Sequence, residues 1–425
     1  MIKTAISYRL KVNVAVTALL IITAACTKKP ERVKVDPPPV ASTEPSVETR
    51  PKVAADQVPV SALQTRVGAV HTATPLDVKI ITNALSFPWS LAFLPDGRML
   101  VTEKPGTMRI VTAAGVVGPA IKGLPPVKYR SNSGLMDVKL DPDFATSRLI
   151  FWTYVEPLTP TSFVTSIARG KLSADETKLE EVSVIYRAIP PYTGYLHPGS
   201  QLLFDKAGLL YACFGEHYDD IMRIKAQELN SAIGKIIRIN KDGSAAAGNP
   251  FTATAGALPE TWSMGHRDPQ GLAFNPVTGD LWESEHGPMG GDEINLIRRG
   301  YNYGWPVIAY GYENSGPLVG TTVGNGTRQE GMKQPVYYWD PAIAPSGITF
   351  YTGTLVPEWK NNLFVASLIA KHISRLVIYN NQVFGEERLL ESEGQRFRKV
   401  VQGPDGAIYA ITDQAEGRIY RIGAK

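Results

Sequence analysis

One stretch decides the fold: Leu-Ala-Phe-Leu-Pro-Asp-Gly-Arg-Met-Leu-Val, residues 91–101. Apolar and polar residues alternate on both sides of a Pro-Asp-Gly turn, which is the pattern of two antiparallel strands joined by a tight hairpin. The same unit recurs along the chain. Clear copies lie at 202–211, 272–282 and 400–409, and weaker copies begin at Val138 and Ile348.

The spacing of the six copies indicates how they are arranged. Measured from Phe93 through the equivalent positions, the intervals are 47, 64, 70, 76 and 52 residues. The equivalent positions are Leu140, Phe204, Phe274, Phe350 and Gln402. Hairpins repeated at this interval, without helical stretches between them, are typical of four-stranded propeller blades. The sequence therefore predicts an all-β, six-bladed β-propeller over residues 76–425, with a stacked pair of β-sandwiches as the alternative.

Composition and charge fit a large folded domain. The 425 residues are 44% hydrophobic and 20% charged, with 38 Gly and 32 Pro, so the chain can bury a core and needs many turns. The formal net charge is +4, and it falls to about +1 without the three basic residues of the leader, Lys3, Arg9 and Lys11. This balance gives no electrostatic case for nucleic-acid binding.

The N-terminus has the pattern of an export signal. The three basic residues precede an apolar run, residues 12–22, which is too short to span a bilayer and predicts a signal peptide over residues 1–25. The run stops at Thr-Ala-Ala-Cys, which resembles a bacterial lipobox and predicts lipidation of Cys26. Thr27, rather than Asp, follows Cys26, and the resemblance to lipoprotein sorting signals then implies an outer-membrane lipoprotein that faces the periplasm. The alternative is an ordinary secretory leader and a secreted or periplasmic protein.

The segment after Cys26 has the composition of a linker. Residues 26–75 are rich in proline and polar residues, with charges of both signs and no sustained apolar period. We predict an extended, lipid-attached linker through which the propeller stands off a membrane surface. If Cys26 is acylated, Cys213 has no disulfide partner, and its apolar neighbours predict a small buried side chain.

Three loops hold residues suited to chemistry. His197 lies just before the third repeat, where an imidazole at the mouth of a propeller channel is placed to accept a proton. Arg267 precedes the fourth repeat, within the run Gly-His-Arg-Asp-Pro-Gln-Gly at 265–271. Residues 285–295 form a glycine-rich loop, whose carbonyl oxygens are ligands that calcium prefers. None of the six histidines is paired at the helical spacing of a zinc hydrolase.

These loops resemble the glucose/sorbosone dehydrogenase family, six-bladed quinoproteins that use pyrroloquinoline quinone (PQQ) and calcium. The resemblance covers residues 78–423 and rests on motifs that occur in the same order. They are His197 ahead of Gly199-Ser200-Gln201-Leu202, Gly-His-Arg-x-Pro-Gln-Gly-Leu-Ala-Phe at 265–274, Gly-Pro-x-x-x-Asp-Glu-Ile-Asn-Leu-Ile at 287–297, and Asn302-Tyr303-Gly304-Trp305-Pro306. The resemblance implies oxidation of aldose sugars to lactones by hydride transfer to the quinone.

The resemblance also implies catalytic and metal-binding roles for individual residues. His197 matches the general base, and Glu216 matches the acid that orients it. Arg267 matches a guanidinium beside the quinone carbonyl, where it can stabilise developing negative charge. Gly287 and Pro288 match the backbone carbonyls that hold the calcium, which polarises the reactive carbonyl of the cofactor.

The remaining cofactor contacts follow the family less closely. Arg396 and Arg398 alternate along a strand, which places both guanidiniums on one face, as binding of the tricarboxylate PQQ requires. Asn132 falls where relatives have a glutamine that touches the cofactor. Asp268 stands in place of an asparagine and adds a negative charge where an anionic cofactor is expected. Lys371 lies two residues after the position of the usual cofactor lysine, on the same strand face if no bulge intervenes.

Three further departures change the charge around a trianionic ligand. Gln201 replaces an arginine and Ile369 replaces the cofactor lysine, whereas Lys399 replaces an acid and works in the opposite direction. We therefore predict a PQQ- and calcium-dependent aldose dehydrogenase. One alternative is a cofactor-free sugar- or protein-binding propeller that kept the scaffold and lost the chemistry. The other is a calcium-dependent, lactonase-like hydrolase that uses the same channel.

Overall fold

The computed structural model describes residues 40–194, 196–314 and 318–425, and within them the chain forms six four-stranded antiparallel sheets. Each sheet is one blade, whose strands are named from the innermost to the outermost.

Blade 1 contains β2 Pro88–Phe93, β3 Met99–Glu103, β4 Thr107–Val111 and β5 Val117–Ala120. Blade 2 contains β6 Leu135–Leu140, β7 Leu149–Pro157, β8 Phe163–Leu172 and β9 Leu179–Arg187. Blade 3 contains β10 Leu202–Phe204, β11 Leu210–Phe214, β12 Lys235–Ile239 and β13 Thr261–Met264. Blade 4 contains β14 Pro269–Phe274, β15 Leu281–Glu285, β16 Asp292–Ile297 and β17 Tyr337–Trp339. Blade 5 contains β18 Pro345–Phe350, β19 Leu363–Ser367, β20 Ile373–Tyr379 and β21 Gln382–Leu389. Blade 6 contains β22 Phe397–Gln402, β23 Ile408–Thr412, β24 Gly417–Ala424 and the N-terminal β1 Leu76–Leu85.

The predicted six-bladed propeller is confirmed. The first strand of each hairpin unit is the innermost strand of its blade, and neighbouring inner strands contact one another. These six strands end at the six positions from which the repeat was counted: Phe93, Leu140, Phe204, Phe274, Phe350 and Gln402. The repeat was clearest where β2, β10, β14 and β22 run into short turns, whose Asp, Gly, Pro and Asn residues are local signals. The two weaker copies, at β6 and β18, are followed by longer connections that contain a helical turn.

The ring is closed by strands from the two ends of the chain. β1 pairs antiparallel with β24, from Leu76 opposite Ala424 to Leu85 opposite Gly417. β1 is thus the fourth strand of blade 6, and it pairs with the edge of β24. Because β2 of blade 1 directly follows β1 in the chain, this pairing connects the last blade to the first.

The core lies between the blades, where the faces of neighbouring sheets pack. Trp152 and Trp282 are fully buried, and the Trp282 ring of blade 4 meets Phe350 of blade 5 edge-on at 5.8 Å. In the part of the chain that the structure describes, the named helical elements are short turns: α1 Phe144–Ser147, α2 Asp220–Ile224, and 3₁₀ turns at Lys225–Gln227, Pro357–Trp359 and Glu391–Glu393. No helix among the described residues is long and apolar enough to cross a membrane.

The segment before β1 differs from the extended linker predicted for residues 26–75. Residues 42–74, here called the N-terminal strap, pack against blade 5 and belong to the same compact unit as the propeller. Val70 N donates to Glu386 O at 3.0 Å, and Glu386 N donates to Gly68 O at 3.1 Å, so the strap covers the outer edge of β21. Its polar composition is compatible with folding because the propeller supplies partners for its hydrogen-bonding groups. Cys26 and the predicted signal peptide lie outside the described residues.

Candidate active site

The predicted site residues gather at one end of the channel. Inner strands β10, β14 and β22 begin at this end, and the turns that follow β11, β15 and β23 return to it, because neighbouring strands of a blade are antiparallel. The residues just before an inner strand and just after its neighbour therefore meet at one channel mouth. This arrangement brings segments from different blades together.

His197 and Glu216 form a hydrogen-bonded pair at this mouth. His197 Nδ1 lies 2.7 Å from Glu216 Oε1, and the Glu216 side chain is 2% exposed. Since a carboxylate only accepts hydrogen bonds, the proton of the neutral imidazole lies on Nδ1, which leaves the lone pair on Nε2. His197 has a φ of 44°, so the loop turns sharply at the histidine itself. The pair has the geometry of an oriented general base.

Arg267 lies beside this pair and links two loops. Its Nη1 donates to the carbonyls of His286 (2.9 Å) and Gly287 (2.7 Å), and its guanidinium lies 5.0 Å from the centre of the Trp305 ring. Its backbone carbonyl accepts from Glu216 N at 2.9 Å, which ties it to the His197–Glu216 pair. Arg267 and Trp305 line two adjoining small pockets, one toward Gly287 and one toward Glu216. The guanidinium is thus held between the base and the glycine-rich loop.

The Gly287–Pro288 loop is held firmly by its neighbours. Asp292 Oδ1 accepts from Gly287 N at 2.7 Å, and the other Asp292 oxygen accepts from the amides of Ile343 and Ala344. The Gly287 carbonyl, predicted to bind calcium, accepts from Arg267 here and keeps its second lone pair. The Pro288 carbonyl accepts no hydrogen bond among the described residues. Backbone carbonyl oxygens are ligands that calcium prefers, so the carbonyls of these two consecutive residues are suited to the ion.

Asp268 does not face the pocket as a free charge. Its carboxylate is fully buried, accepts from Gly199 N and Gln270 Nε2 at 3.0 Å each, and lies 3.3 Å from His286 Nδ1. Burial acts to raise the pKa of Asp268, but the charges of His197, His286 and Arg267 hold it below its usual range, so the group is ionised. The structure thus places Asp268 as a brace for the His197 loop, which differs from the predicted cofactor contact.

The prediction that Arg396 and Arg398 share a strand face is wrong, because Arg396 lies just before β22 and the pairing with β23 shifts register between Phe397 and Lys399. The two side chains also differ in their surroundings. Arg398 is 2% exposed; it packs on the Trp89 ring at 4.1 Å and donates to Asp413 Oδ2 at 2.6 Å and Gln270 Oε1 at 3.1 Å. The Arg396 side chain is 40% exposed, donates to Leu368 O at 3.3 Å and lies 4.0 Å from Asp413. Arg396 therefore presents its charge to the channel mouth, while Arg398 is held in the wall.

Lys104 joins this cationic group, and sequence reasoning missed it. Its Nζ lies 2.5 Å from Asp413 Oδ1, so one carboxylate faces Lys104, Arg396 and Arg398. Burial and the Arg398 charge together lower the pKa of Lys104 to about 8, against the attraction of Asp413. Lys104 directly follows β3, just as Asp413 directly follows β23, and this position in the repeat was the available signal. The surplus of positive charge suits an anionic ligand.

The structure supports the predicted cofactor contact of Asn132 but not that of Lys371. Asn132 lies in the loop before β6, and its Oδ1 is buried with no hydrogen-bond partner among the described residues. This oxygen can therefore accept a hydrogen bond from a ligand. Lys371 lies in the exposed turn between β19 and β20, with a φ of 58°. The prediction that Lys371 shares a strand face with Ile369 is wrong, because β19 ends at Ser367 and the alternation stops there.

Two departures from the family, Gln201 and Lys399, contact each other inside the channel. Lys399 Nζ lies 2.5 Å from Gln201 Oε1 and 2.9 Å from Asp137 Oδ1, and Gln201 Nε2 donates to Asp137 Oδ2 at 3.0 Å. Asp137 is fully buried and also accepts from Ser90 Oγ and Leu202 N. The two substitutions are therefore partners in one buried network, here called the channel network. They do not act as separate changes of the cofactor pocket.

A carboxylate cluster lies behind Arg267. Asn295 Nδ2 is within 3.1 Å of an oxygen of Glu283, Glu285 and Glu293, and Arg267 N donates to Glu285 Oε2 at 2.6 Å. Burial and the neighbouring Glu285 charge raise the pKa of both Glu283 and Glu293 well above the usual range. Both shifts favour the neutral carboxyl form of these acids.

Fold and site together define a propeller enzyme with a carboxylate-oriented histidine beside a cationic pocket for an anionic group. The sequence profile of the family described as glucose/sorbosone dehydrogenase matches residues 85–421. The chain is 37% identical over 348 residues to aldose sugar dehydrogenase YliI of Escherichia coli K12, covering 82% of this chain and 92% of that protein. The chain belongs to the glucose/sorbosone dehydrogenase family. The prediction from sequence, a sugar oxidoreductase of the quinoprotein type, is thereby confirmed.

Solved structures agree with this assignment. A crystal structure of a glucose dehydrogenase superposes with a TM-score of 0.79 at 40% identity, covering 82% of this chain and all of the other. The PQQ-bound form of an aldose sugar dehydrogenase from Streptomyces coelicolor superposes with a TM-score of 0.67 at 27% identity, covering 84% of this chain and all of the other.

Proposed function

We propose that the protein oxidises aldose sugars to lactones with PQQ and calcium, and that His197 is the general base. The observation that carries this proposal is the His197–Glu216 pair at 2.7 Å beside the Arg267 guanidinium. The family membership and the sugar dehydrogenases named above support the substrate class. PQQ with calcium supplies the hydride acceptor when it is bound.

The residues of this chain would handle the proton and hold the sugar for reaction. His197 Nε2 accepts the proton of the anomeric hydroxyl while the hydride leaves the same carbon, so the hydroxyl carbon becomes the lactone carbonyl. Glu216 fixes the ring through Nδ1 and stabilises the positive charge that the imidazole gains. Arg267 faces the reacting groups with a guanidinium that can stabilise developing negative charge.

The cofactor-binding residues fit a group with several carboxylates. Arg396 presents an accessible guanidinium, and the Nε groups of Arg267 and Arg398 are buried without partners among the described residues. Oδ1 of Asn132 is also buried without a partner there, and it can accept from a hydrogen-bond donor of the ligand. Such unpaired donors and acceptors are costly unless a ligand completes them. We assign Arg396, Arg398, Arg267, Asn132 and Lys104 to PQQ, and the carbonyls of Gly287 and Pro288 to calcium. Asp268 and Lys371 are left out, because one braces the His197 loop and the other lies in an exposed turn.

A PQQ titration in the presence of calcium tests this function. We expect saturable binding, followed by fluorescence quenching, together with dye reduction that depends on an aldose; removal of calcium with a chelator should abolish both. Absence of saturable binding would overturn the proposal in favour of a cofactor-free binding propeller. Release of a hydroxy acid from a lactone without PQQ would instead support the hydrolase.

Arg396→Ala should weaken PQQ binding by about tenfold without unfolding the protein, because a charge-assisted contact from a half-exposed side chain is lost. The measurement is the same titration, with thermal melting as the check on folding. Arg418→Ala is the matched control: Arg418 lies on β24 of the same blade, and its side chain donates to Tyr420 Oη, which is not among the residues assigned to the cofactor. Equal affinity of wild type and Arg396→Ala would remove Arg396 from the cofactor site.

We also propose that Cys26 is lipidated and anchors the protein to the outer membrane on its periplasmic side. Cys26→Ser should then release the protein from the membrane fraction or block removal of the signal peptide, because no thiol is left for acylation. The measurement is fractionation combined with the mass of the mature N-terminus. Unchanged membrane association without an acyl mass would contradict this proposal.

A further inference from the structure

The N-terminal strap reaches the glycine-rich loop of the candidate site. In the middle of the strap, the side-chain amide of Gln57 pairs with both backbone groups of Gly311: Nε2 donates to Gly311 O at 2.9 Å, and Oε1 accepts from Gly311 N at 2.7 Å. Gln57 is 8% exposed, and the next contact of the strap joins the Asp56 carboxylate to the Tyr312 hydroxyl. Gln57 thus binds the 310–312 segment as a neighbouring strand residue would.

The 310–312 segment in turn holds the glycine-rich loop. Tyr312 N donates to Met289 O at 3.0 Å, and Met289 N donates to Tyr312 O at 2.9 Å. The contact is too close for side chains, because a Cβ on Gly311 would lie 1.6 Å from Gly290 O, and one on Gly291 would lie 2.1 Å from Tyr310 O. Two backbones in such contact move together, so a displacement of Gly311 is passed to residues 289–291.

Asp340 provides a second link between the strap and the same loop. Its two carboxylate oxygens accept from Val53 N at 2.8 Å and Ala54 N at 3.1 Å, and Asp340 is buried. The same carboxylate packs on Gly290, where a Cβ would lie 2.6 Å from Oδ1. The strap therefore supports both sides of the turn that directly follows Gly287 and Pro288.

We propose that the N-terminal strap positions the Gly287–Gly291 loop for calcium and PQQ, with Gln57 as its main positioning residue. The strap lies entirely before the region that the family profile matches, residues 85–421. The proposal rests on the proposed function for its calcium and PQQ consequence. The coupling of the strap to the loop does not depend on that function.

Hydrogen exchange of the cofactor-free, full-length protein tests the coupling directly. In Gln57→Leu both bonds to Gly311 are lost, and we expect the amides of residues 287, 289–291 and 312 to exchange about tenfold faster. Gln57→Glu keeps only the acceptor for Gly311 N and should show a smaller increase. Thr72→Ala is the matched control: it also removes two side-chain hydrogen bonds of the strap, to Glu387 and from Trp359, but far from this loop. It should leave exchange at 287–291 within twofold of wild type.

The calcium-supplemented PQQ titration then tests the consequence. We expect the Kd of Gln57→Leu to rise about tenfold and that of Thr72→Ala to stay at the wild-type value. Unchanged exchange at 287–291 in Gln57→Leu would overturn the positioning role, as would an equal increase in Thr72→Ala, which would show only general stabilisation by the strap. If wild type binds no PQQ, the proposed function fails, and the exchange result still decides whether the strap holds the loop.

Discussion

His197→Ala is expected to lower aldose-dependent dye reduction by about 10²–10⁴-fold, the usual contribution of a positioned general base. The alanine variant has no atom in the position of Nε2 to accept the hydroxyl proton, whereas the residues assigned to the cofactor remain. PQQ and calcium should therefore bind with wild-type affinity. The measurement pairs steady-state dye reduction with the PQQ titration on the same protein preparation.

Two further variants sharpen this result. Glu216→Gln keeps the size of the side chain but loses the charge that stabilises a protonated imidazole, so it should lower activity less than His197→Ala. His71→Ala is the matched control, since its exposed imidazole pairs with Glu44 outside the site. Wild-type activity in His197→Ala would show that His197 is a loop residue without a catalytic role. A loss of PQQ binding equal to the loss of activity would assign it to cofactor binding.

Lys399→Met is expected to lower the free energy of unfolding by about 3–5 kcal/mol. Asp137 is fully buried, and Lys399 Nζ at 2.9 Å is the cation in direct contact with it. Removal of the ammonium leaves a buried, ionised carboxylate without the cation that contacts it directly, and the charge of Lys139 remains as the weaker compensation. Chemical denaturation followed by tryptophan fluorescence measures the change.

A double-mutant cycle separates the charge pair from simple loss of packing. Asp137→Asn combined with Lys399→Met removes both charges and should be less destabilised than the sum of the two single variants. Lys206→Met, at an exposed position of the turn after β10, should change stability by no more than about 0.5 kcal/mol. Additive single effects would show that Lys399 and Asp137 are not energetically coupled.

The sequence by itself determined the fold and the position of most candidate site residues. Alternation with a period of two and turns built from Pro, Asp, Asn and Gly are properties of short stretches, so six hairpins could be counted without knowledge of their packing. The candidate base, the loop arginine and the calcium loop were found from ordered motifs next to these hairpins. Each of them lies at the channel mouth because each adjoins an end of one of the two innermost strands of a blade.

Contacts between distant segments were decided only by the tertiary structure. Lys399 and Asp137 are 262 residues apart, and Gln57 and Gly311 are 254 residues apart, so no local pattern indicates that either pair meets. For the same reason, Gln201 and Lys399 were predicted to alter the pocket separately, although they are hydrogen-bonded to each other. The motif around Asp268 does not indicate where its carboxylate points. That direction depends on contacts with Gly199 and His286, which belong to other loops. Local chemistry specifies strands and turns, whereas the partner of a buried charge is set by how the closed ring brings its blades together.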